Sequence, residues 1–434
     1  MLGNTTIFLI INLISSIPYA LISPLLPTLG KEKDLSEGIL GCIISLFPLA
    51  VSIFSTIVPI LSKKYSRIKL LSLANFFASI VTILYGTLIF IPNRSLLIIF
   101  VFILRIIHGI CSAIISTLIY SLTISFAEKG KTQTSLGYLE IAFSLGSSAG
   151  LLISSVFYKI GGYPLPFFVS GFISFIAFYL ALQINDKNMK KDDDEKKGDD
   201  NYNYLKYLKN PEIYSILIGF IVVMINITYF SPCLTNHLNN NYSISVSTAS
   251  LIFMTPMIPY MIVMQFLDSL TGKFGNHLVF IIGVTTLGVS SLMIYPVPPL
   301  PQSVIVIIIG FLICGCGGVP VFIPGLVMLA KNIKKSEKSI DEMSANDIAT
   351  VLNTLCTEVG DFLGPLIGGY LSEKIGFKLC CLVVSVIVLI YSAIFILFFN
   401  GEIRNEIKMI KQEKKSESKT DKNEEGETEH LKDN

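Results

Sequence analysis

The sequence predicts an all-α membrane protein with twelve transmembrane helices in two pseudo-symmetric six-helix bundles, and three observations carry that prediction. Only 15% of the 434 residues are charged and 52% are hydrophobic, against about 25% charged in a soluble globular protein. Much of the surface must therefore face something other than water. Apolar runs of the roughly 20 residues that a spanning helix needs recur about twelve times along the chain. The second half repeats the small-residue pattern of the first at a constant offset.

The runs lie near residues 5–29, 37–61, 70–92, 95–126, 133–160 and 165–184, then near 213–235, 246–267, 278–296, 302–330, 345–372 and 377–400. Helix is the required reading. Backbone polar groups in hydrocarbon must be satisfied internally, and the alternative, a β-barrel, shows short alternating segments instead of long apolar runs. The first run, Thr5 to Leu29, lacks a basic leading region and exceeds the roughly 7–15 residues of a signal-peptide core, so it reads as a span.

Between the sixth and seventh runs the composition changes abruptly to Lys and Asp around Asp186 to Asp200. Such a segment cannot bury enough apolar surface to fold. The expected organisation is an N-terminal bundle (1–184), a charged cytoplasmic linker (185–212), a C-terminal bundle (213–400) and a disordered cytoplasmic tail (401–434). Basic residues cluster on one side: Lys63, Lys64, Arg67 and Lys69 after span two, Lys129 and Lys131, Lys273, Lys331 to Lys338, the linker and the tail. The opposite side holds Lys31, Lys33, Arg94, Lys159, Lys374 and Lys378. This bias places both termini in the cytoplasm. Asn93-Arg94-Ser95 and Asn241-Tyr242-Ser243, on the other side, fit the N-glycosylation pattern.

Composition also excludes function classes. The 33 basic and 31 acidic residues nearly cancel, which argues against a nucleic-acid partner. The eight cysteines sit mostly inside apolar runs with no CxxC pair, and the four histidines are scattered, so neither a disulfide framework nor a metal site is expected. No nucleophile–base constellation suggests an enzyme. The repeat is specific. Gly146, Gly150 and Ser154-Ser155, then Gly162-Tyr163, in span five correspond to Gly360, Gly364-Pro365 and Gly368-Gly369, then Gly376-Phe377, in span eleven, 214 residues later. Two halves of parallel topology joined by a charged linker form the layout of a carrier with its binding site between them at mid-membrane.

Several stretches carry a resemblance: Ser23-Pro24-Leu25-Leu26-Pro27, Arg105-x-x-x-Gly109, Leu136-Gly137-Tyr138-Leu139-Glu140 through Gly150, and Gly360 through Gly369 followed by Glu373-Lys374-Ile375-Gly376-Phe377. Over about residues 5–400 the chain resembles the major facilitator superfamily and, within it, solute carrier family 18, the vesicular amine transporters. It looks most like the B1-type branch associated with vesicular polyamine transport. The resemblance implies the major facilitator fold and proton-coupled antiport of an organic cation, a polyamine or amine, by a monomer. No cofactor is implied; the driving force would be a proton gradient, in a vesicular, vacuolar or plasma membrane. Departures from the pattern are equally visible. The superfamily's Gly-x-x-x-Asp-Arg-x-Gly-Arg loop is here Pro59 to Arg67, with Lys63 in place of the Asp. The acidic residue that the monoamine branch carries in span one is here Ser15. A different small solute or drug, or a non-transporting receptor-like role, are the alternative readings.

Within the spans the candidates for chemistry are few. A carboxylate at membrane depth is costly and turns toward a cavity or a partner, which singles out Glu140 in span five and Glu358 and Asp361 in span eleven. The family pattern also shows Glu at the first of these. Glu358 and Asp361, three apart, share one helix face, and acidic groups from both halves would suit a cationic solute. Tyr138 and Tyr229 are expected to offer ring faces to a cation. Arg105, the sole basic residue deep in a span, is expected to pair with a carboxylate or, more structurally, with backbone carbonyls; His108 on the same face reads as packing. Gly109, Gly146, Gly150, Gly360, Gly364, Gly368 and Gly369 read as close-packing positions, and Pro365, Pro320 and Pro324 as bends.

Overall fold

The computed structural model describes residues 4–126, 132–184, 204–337, 340 and 342–430. Among them there is helix and turn but no strand. The first half comprises α1 (Asn4–Glu32), α2 (Glu37–Lys64), α3 (Arg67–Thr87), α4 (Arg94–Phe126), α5 (Thr132–Gly161) and α6 (Pro164–Leu182). The second comprises α7 (Pro211–Thr228), α8 (Leu234–Tyr242), α9 (Val246–Met254), α10 (Met257–Phe274), α11 (Asn276–Ile294), α12 (Val304–Ser336), α13 (Glu342–Ile375) and α14 (Phe377–His430). Eleven helical segments are long and apolar enough to cross a membrane, α9 and α10 counting as one. The twelfth span is α13. It is 34 residues long but carries acidic residues through its length, and it is the helix wedged between α2 and α7.

Local chemistry explains the breaks. Pro256 cannot donate to Ile252, so the eighth span splits into α9 and α10, and Thr255 closes the first piece on the Ile252 carbonyl. Pro320 and Pro324, expected as bends, sit inside an unbroken α12. Gly162 and Gly376 turn the chain from α5 to α6 and from α13 to α14 with φ of +65° and +84°. Those angles favour a residue without Cβ, and the two glycines are equivalent positions of the repeat.

The repeat is also legible in the packing. In the first half, Gly146 and Gly150 of α5 lie on the carbonyls of Leu13 and Ile17 of α1. In the second, Gly360, Gly364 and Gly368 of α13 lie on Ile221, Ile225 and Tyr229, at and just beyond α7. Both sets step by one helical turn, so one helix rides on the backbone of another in each half.

Two expectations change. Residues 204–209 form a short 3-10 turn whose Tyr207 is buried in the core of the second half, so this end of the expected linker belongs to that bundle; the charged stretch at 185–203 lies outside the described residues. The tail expected to be disordered from 401 is helical through His430, beyond a kink at Phe399 where φ is −108° and ψ 17°. Ile403 and Ile407 lay an apolar stripe on the same core, and Glu406 caps α11 by accepting the backbone N–H groups of Asn276 and His277 at 3.0 and 3.1 Å. Tertiary packing, not composition, starts this extension.

The halves meet on the side away from the termini. Gly41 of α2 lies against Pro365 and Gly369 of α13, Ser154 of α5 bonds Ser250 of α9 at 2.9 Å, and an apolar cluster joins Ala20 and Leu151 to Tyr229, Phe230 and Leu234. Toward the termini α5 is exposed on two faces, Tyr138, Ile141 and Leu145 on one, Glu140 and Phe143 on the other. Glu140 and Phe143 look toward the second half, with Tyr260 of α10 in electrostatic reach of Glu140, so their exposure marks an opening between the halves on the termini side.

Close backbone approach makes the glycines testable. A Cβ on Gly360 would stand 2.5 Å from Met224 Cβ and 2.7 Å from the Ile221 oxygen, so Gly360→Ala is expected to destabilise by about 1–3 kcal/mol. Gly137, with nothing within 4 Å, should accept Ala with no loss or a gain of about 0.5–1 kcal/mol. Unfolding midpoints of the detergent-solubilised protein distinguish the two.

Candidate functional site

The site begins with a missing hydrogen-bond donor. Pro48 sits inside α2 and has no N–H for the carbonyl of Ile44, one turn earlier. Arg105 of α4 fills the gap: its Nη2 donates to the Ile44 oxygen at 2.7 Å and its Nε to the Ile43 oxygen at 3.2 Å. The guanidinium lies 4.8 Å from the Phe47 ring centroid and is only 2% exposed. Of the two expected roles, bonding to carbonyls is the one observed. Close approach of α4 to α2 depends on Gly109, where a Cβ would stand 2.6 Å from Ala50 Cβ and 2.7 Å from the Phe47 oxygen. His108 is buried against Phe47 and Tyr85, ring centroids 5.1 and 5.9 Å away, a packing position.

In front of this buttress stands an aromatic wall. Tyr19, midway along α1, lies 5.4 Å from Phe47 of α2 and 6.1 Å from Phe143 of α5, ring to ring. Facing it from the other half is α13. The Tyr19 hydroxyl donates to Asp361 Oδ2 at 3.4 Å, a long bond, and Glu358, one turn below, lies within electrostatic reach of both. Both carboxylates are half-buried. Arg105 stands behind the wall, close enough to be felt by Asp361.

Glu140 occupies a second position nearer the termini. Tyr120 of α4 donates to its Oε1 at 2.5 Å, so its partner is a hydroxyl, not Arg105. Tyr260 of α10, in the other half, is within electrostatic reach of Glu140. Phe143, one turn along α5, connects this position to Tyr19 and Asp361.

Two expected residues fall elsewhere. Tyr229 is fully buried in the far-side cluster, with Gly368 against its carbonyl, and has no open ring face. Tyr138 is 54% exposed but, two residues from Glu140, projects from nearly the opposite side of α5. The aromatics beside Asp361 and Glu140 are Tyr19 and Phe143, with Phe47 buried behind them, and sequence reasoning missed all three. A signal existed: Tyr19 shares a helix face with the polar Asn12 and Ser16 of α1. The expected glycosylation acceptors are both engaged: Asn93 caps α4 through Leu96 N–H at 3.0 Å, and Asn241 Nδ2 meets His237 Nδ1 at 3.2 Å. Among the described residues no cluster of three or more His, Cys, Asp or Glu could hold a metal.

Sequence comparison decides the family. The profile of the Major Facilitator Superfamily matches residues 8–232 and 216–432, nearly the whole chain. The chain belongs to the Major Facilitator Superfamily. It is 25% identical to the MFS-type transporter SLC18B1 of Mus musculus over 381 residues, covering 85% of this chain and 79% of the relative. With its Homo sapiens counterpart it shares 25% over 391 residues, 85% and 80% of the two chains. In solved structures the fold matches the nucleoside transporter NupG (TM-score 0.71, 13% identity, 92% and 99% covered). It also matches a bacterial homologue of the lysosomal transporter Spinster in its inward-facing, occupied form (0.70, 13%, 91% and 95%). The protein is thus a multi-pass membrane transporter of a small solute and not an enzyme.

In this transporter the arginine's task is separable by a double-mutant cycle. Arg105→Met should cost about 1–3 kcal/mol of stability by leaving buried carbonyls unpaired. In a Pro48→Ala background, where residue 48 again donates to Ile44, the cost should shrink. Equal costs in the two backgrounds would refute the buttress reading.

Proposed function

We propose that the protein is a proton-coupled antiporter of an organic cation, polyamine-like, moving it from the cytoplasm into a vesicle or vacuole or across the plasma membrane. The single observation that carries this reading is the pairing of two carboxylates on α13, Glu358 and Asp361, with an aromatic wall from the other half, joined at Tyr19. A cation entering between them gains charge neutralisation on one side and ring faces on the other. An anion would meet carboxylates and find Arg105 buried behind Phe47.

Antiport follows from competition. A carboxylate in the membrane interior is tolerated when neutralised, and either a proton or a cationic amine neutralises it. If protons load from one side and substrate from the other, each displaces its rival, and the gradient of one drives the other. Glu140, nearer the opening, extends the acidic path and suits a solute with more than one positive charge. The basic bias of the loops supports cytoplasmic termini, in which case the opening described above faces the cytoplasm. The resemblance of spans one, five and eleven to the B1-type vesicular branch supports the amine class. The carrier works as a monomer without bound cofactor.

Uptake of radiolabelled spermidine into proteoliposomes with an acid interior tests this. Wild type should show gradient-driven uptake; Asp361→Asn and Glu358→Gln should reduce it at least about tenfold, as loss of a charged partner worth 1.4 kcal/mol or more requires. Uptake indifferent to the gradient and to both substitutions would overturn the reading.

A further inference from the structure

On the face away from the termini the two halves are tied by polar contacts of an unusual kind. Ser36 N-caps α2 in extended conformation, its hydroxyl accepting from Ile39 N–H at 3.4 Å. That leaves the N–H of Gly38, in the same first turn, without a partner inside the helix. The partner comes from the other half: Glu373 Oε2, at the end of α13, accepts the Gly38 N–H at 3.0 Å. In an ordinary helix start a carboxylate from the same first turn reaches back; here α13 supplies it across the interface. The position of Gly38 permits this, because a Cβ there would stand 2.5 Å from Glu373 Oε2. A second tie lies beside it. Lys31, at the end of α1, donates from Nζ to Asn239 Oδ1 at 2.8 Å and Asn240 Oδ1 at 2.7 Å on α8.

We propose that Glu373 is the residue that closes this face of the transporter, by capping the N-terminus of α2 across the interface between the halves, with Lys31 and α8 as the second tie. The argument rests on membership of the transporter family and not on which solute is carried. A carboxylate at a helix N-terminus gains from the unpaired N–H groups and from the helix dipole together. Both gains vanish when the halves part, so the contact weights the equilibrium toward the closed face without touching substrate. The charged and polar neighbours of Glu373 act both ways. Lys374 follows on the same helix, its Nζ turned over the Tyr370 ring at 6.0 Å, and it and the Ser36 hydroxyl favour the carboxylate. The Glu37 carboxylate, of like charge, opposes it. Glu37 in turn reaches Cys233, a fully buried thiol of the second half whose Sγ lies 3.8 Å from the Gly368 oxygen. The first turn of α2 thus lies beside Cys233, the Glu37 carbonyl packing on Gly369 next to Gly368, and a buried thiol at this seam reports whether the face is shut.

The test is maleimide labelling of the full chain in lipid nanodiscs, resolved by peptide mass spectrometry. Cys233 reports the far face, and Cys314, buried in the core of the second half, reports general unfolding. Glu373→Ala is expected to raise the Cys233 labelling rate about three- to tenfold, the range set by loss of a helix cap, with Cys314 unchanged. Gly38→Ala should do the same by pushing the carboxylate away, and Glu373→Gln should fall between, keeping an acceptor without the charge. Unchanged Cys233 labelling in Glu373→Ala and Gly38→Ala, or a parallel rise at Cys314, would overturn the proposal.

Discussion

The structure depends on one constraint: α13 is too polar to face lipid and must be enclosed by other helices. Its glycines make that possible. Gly360, Gly364 and Gly368 press one face onto the α7 end of the second half, while Gly369 meets Glu37 and Gly41 of α2 in the first. A helix held backbone to backbone on two sides cannot rotate to expose Glu358 or Asp361 to hydrocarbon, where an unpaired carboxylate costs several kcal/mol. The carboxylates are left at the one place where protein from both halves and an opening adjoin them. The position of the candidate site is thus a consequence of how a polar helix is kept out of lipid.

The first half answers with rigidity. A proline in α2 removes a hydrogen bond, and the arginine of α4 replaces it, so a helix that would otherwise kink freely is pinned at the level of Phe47. The aromatic wall gains its fixed position from this. The deep arginine stands away from solute because it is buried, its Nε and Nη2 bonded to carbonyls and its face against Phe47.

The repeat relates the two halves in packing but not in chemistry. Where α13 has Gly368-Gly369, α5 has Ser154-Ser155, and the two cross-half seams differ accordingly. One is a glycine contact between α13 and α2, the other a hydroxyl pair between Ser154 and Ser250. Glu140 has Thr354 as its counterpart, and the α13 carboxylates have serines as theirs. Acidic side chains therefore sit at different depths in the two halves instead of forming a symmetric ring. The altered loop at Lys63 lies on the termini side, while the ties through Glu373 and Lys31 lie on the other face.

Much of this was legible in the chain. Apolar runs of spanning length, a charged interruption between the sixth and seventh, and the 214-residue glycine repeat determine the helices, the two halves and the glycine faces that pack closely. The reason is that hydrocarbon tolerates only internally bonded backbone, and only small residues let two backbones meet. The acidic positions were readable too, since charge in an apolar run is rare. What the sequence by itself left open was direction. Tyr138 and Tyr229 were the aromatics it favoured, yet one projects from the opposite face of α5 to Glu140 and one is sealed in the far-side cluster. Arg105 could have met a carboxylate, and only the juxtaposition with Pro48 shows that it completes a helix. The break after Thr255 and the helical continuation beyond residue 400 came likewise from local bonding and packing that composition does not display. Which face of each helix looks into the opening was decided by contacts between residues hundreds of positions apart, and those exist only in the tertiary structure.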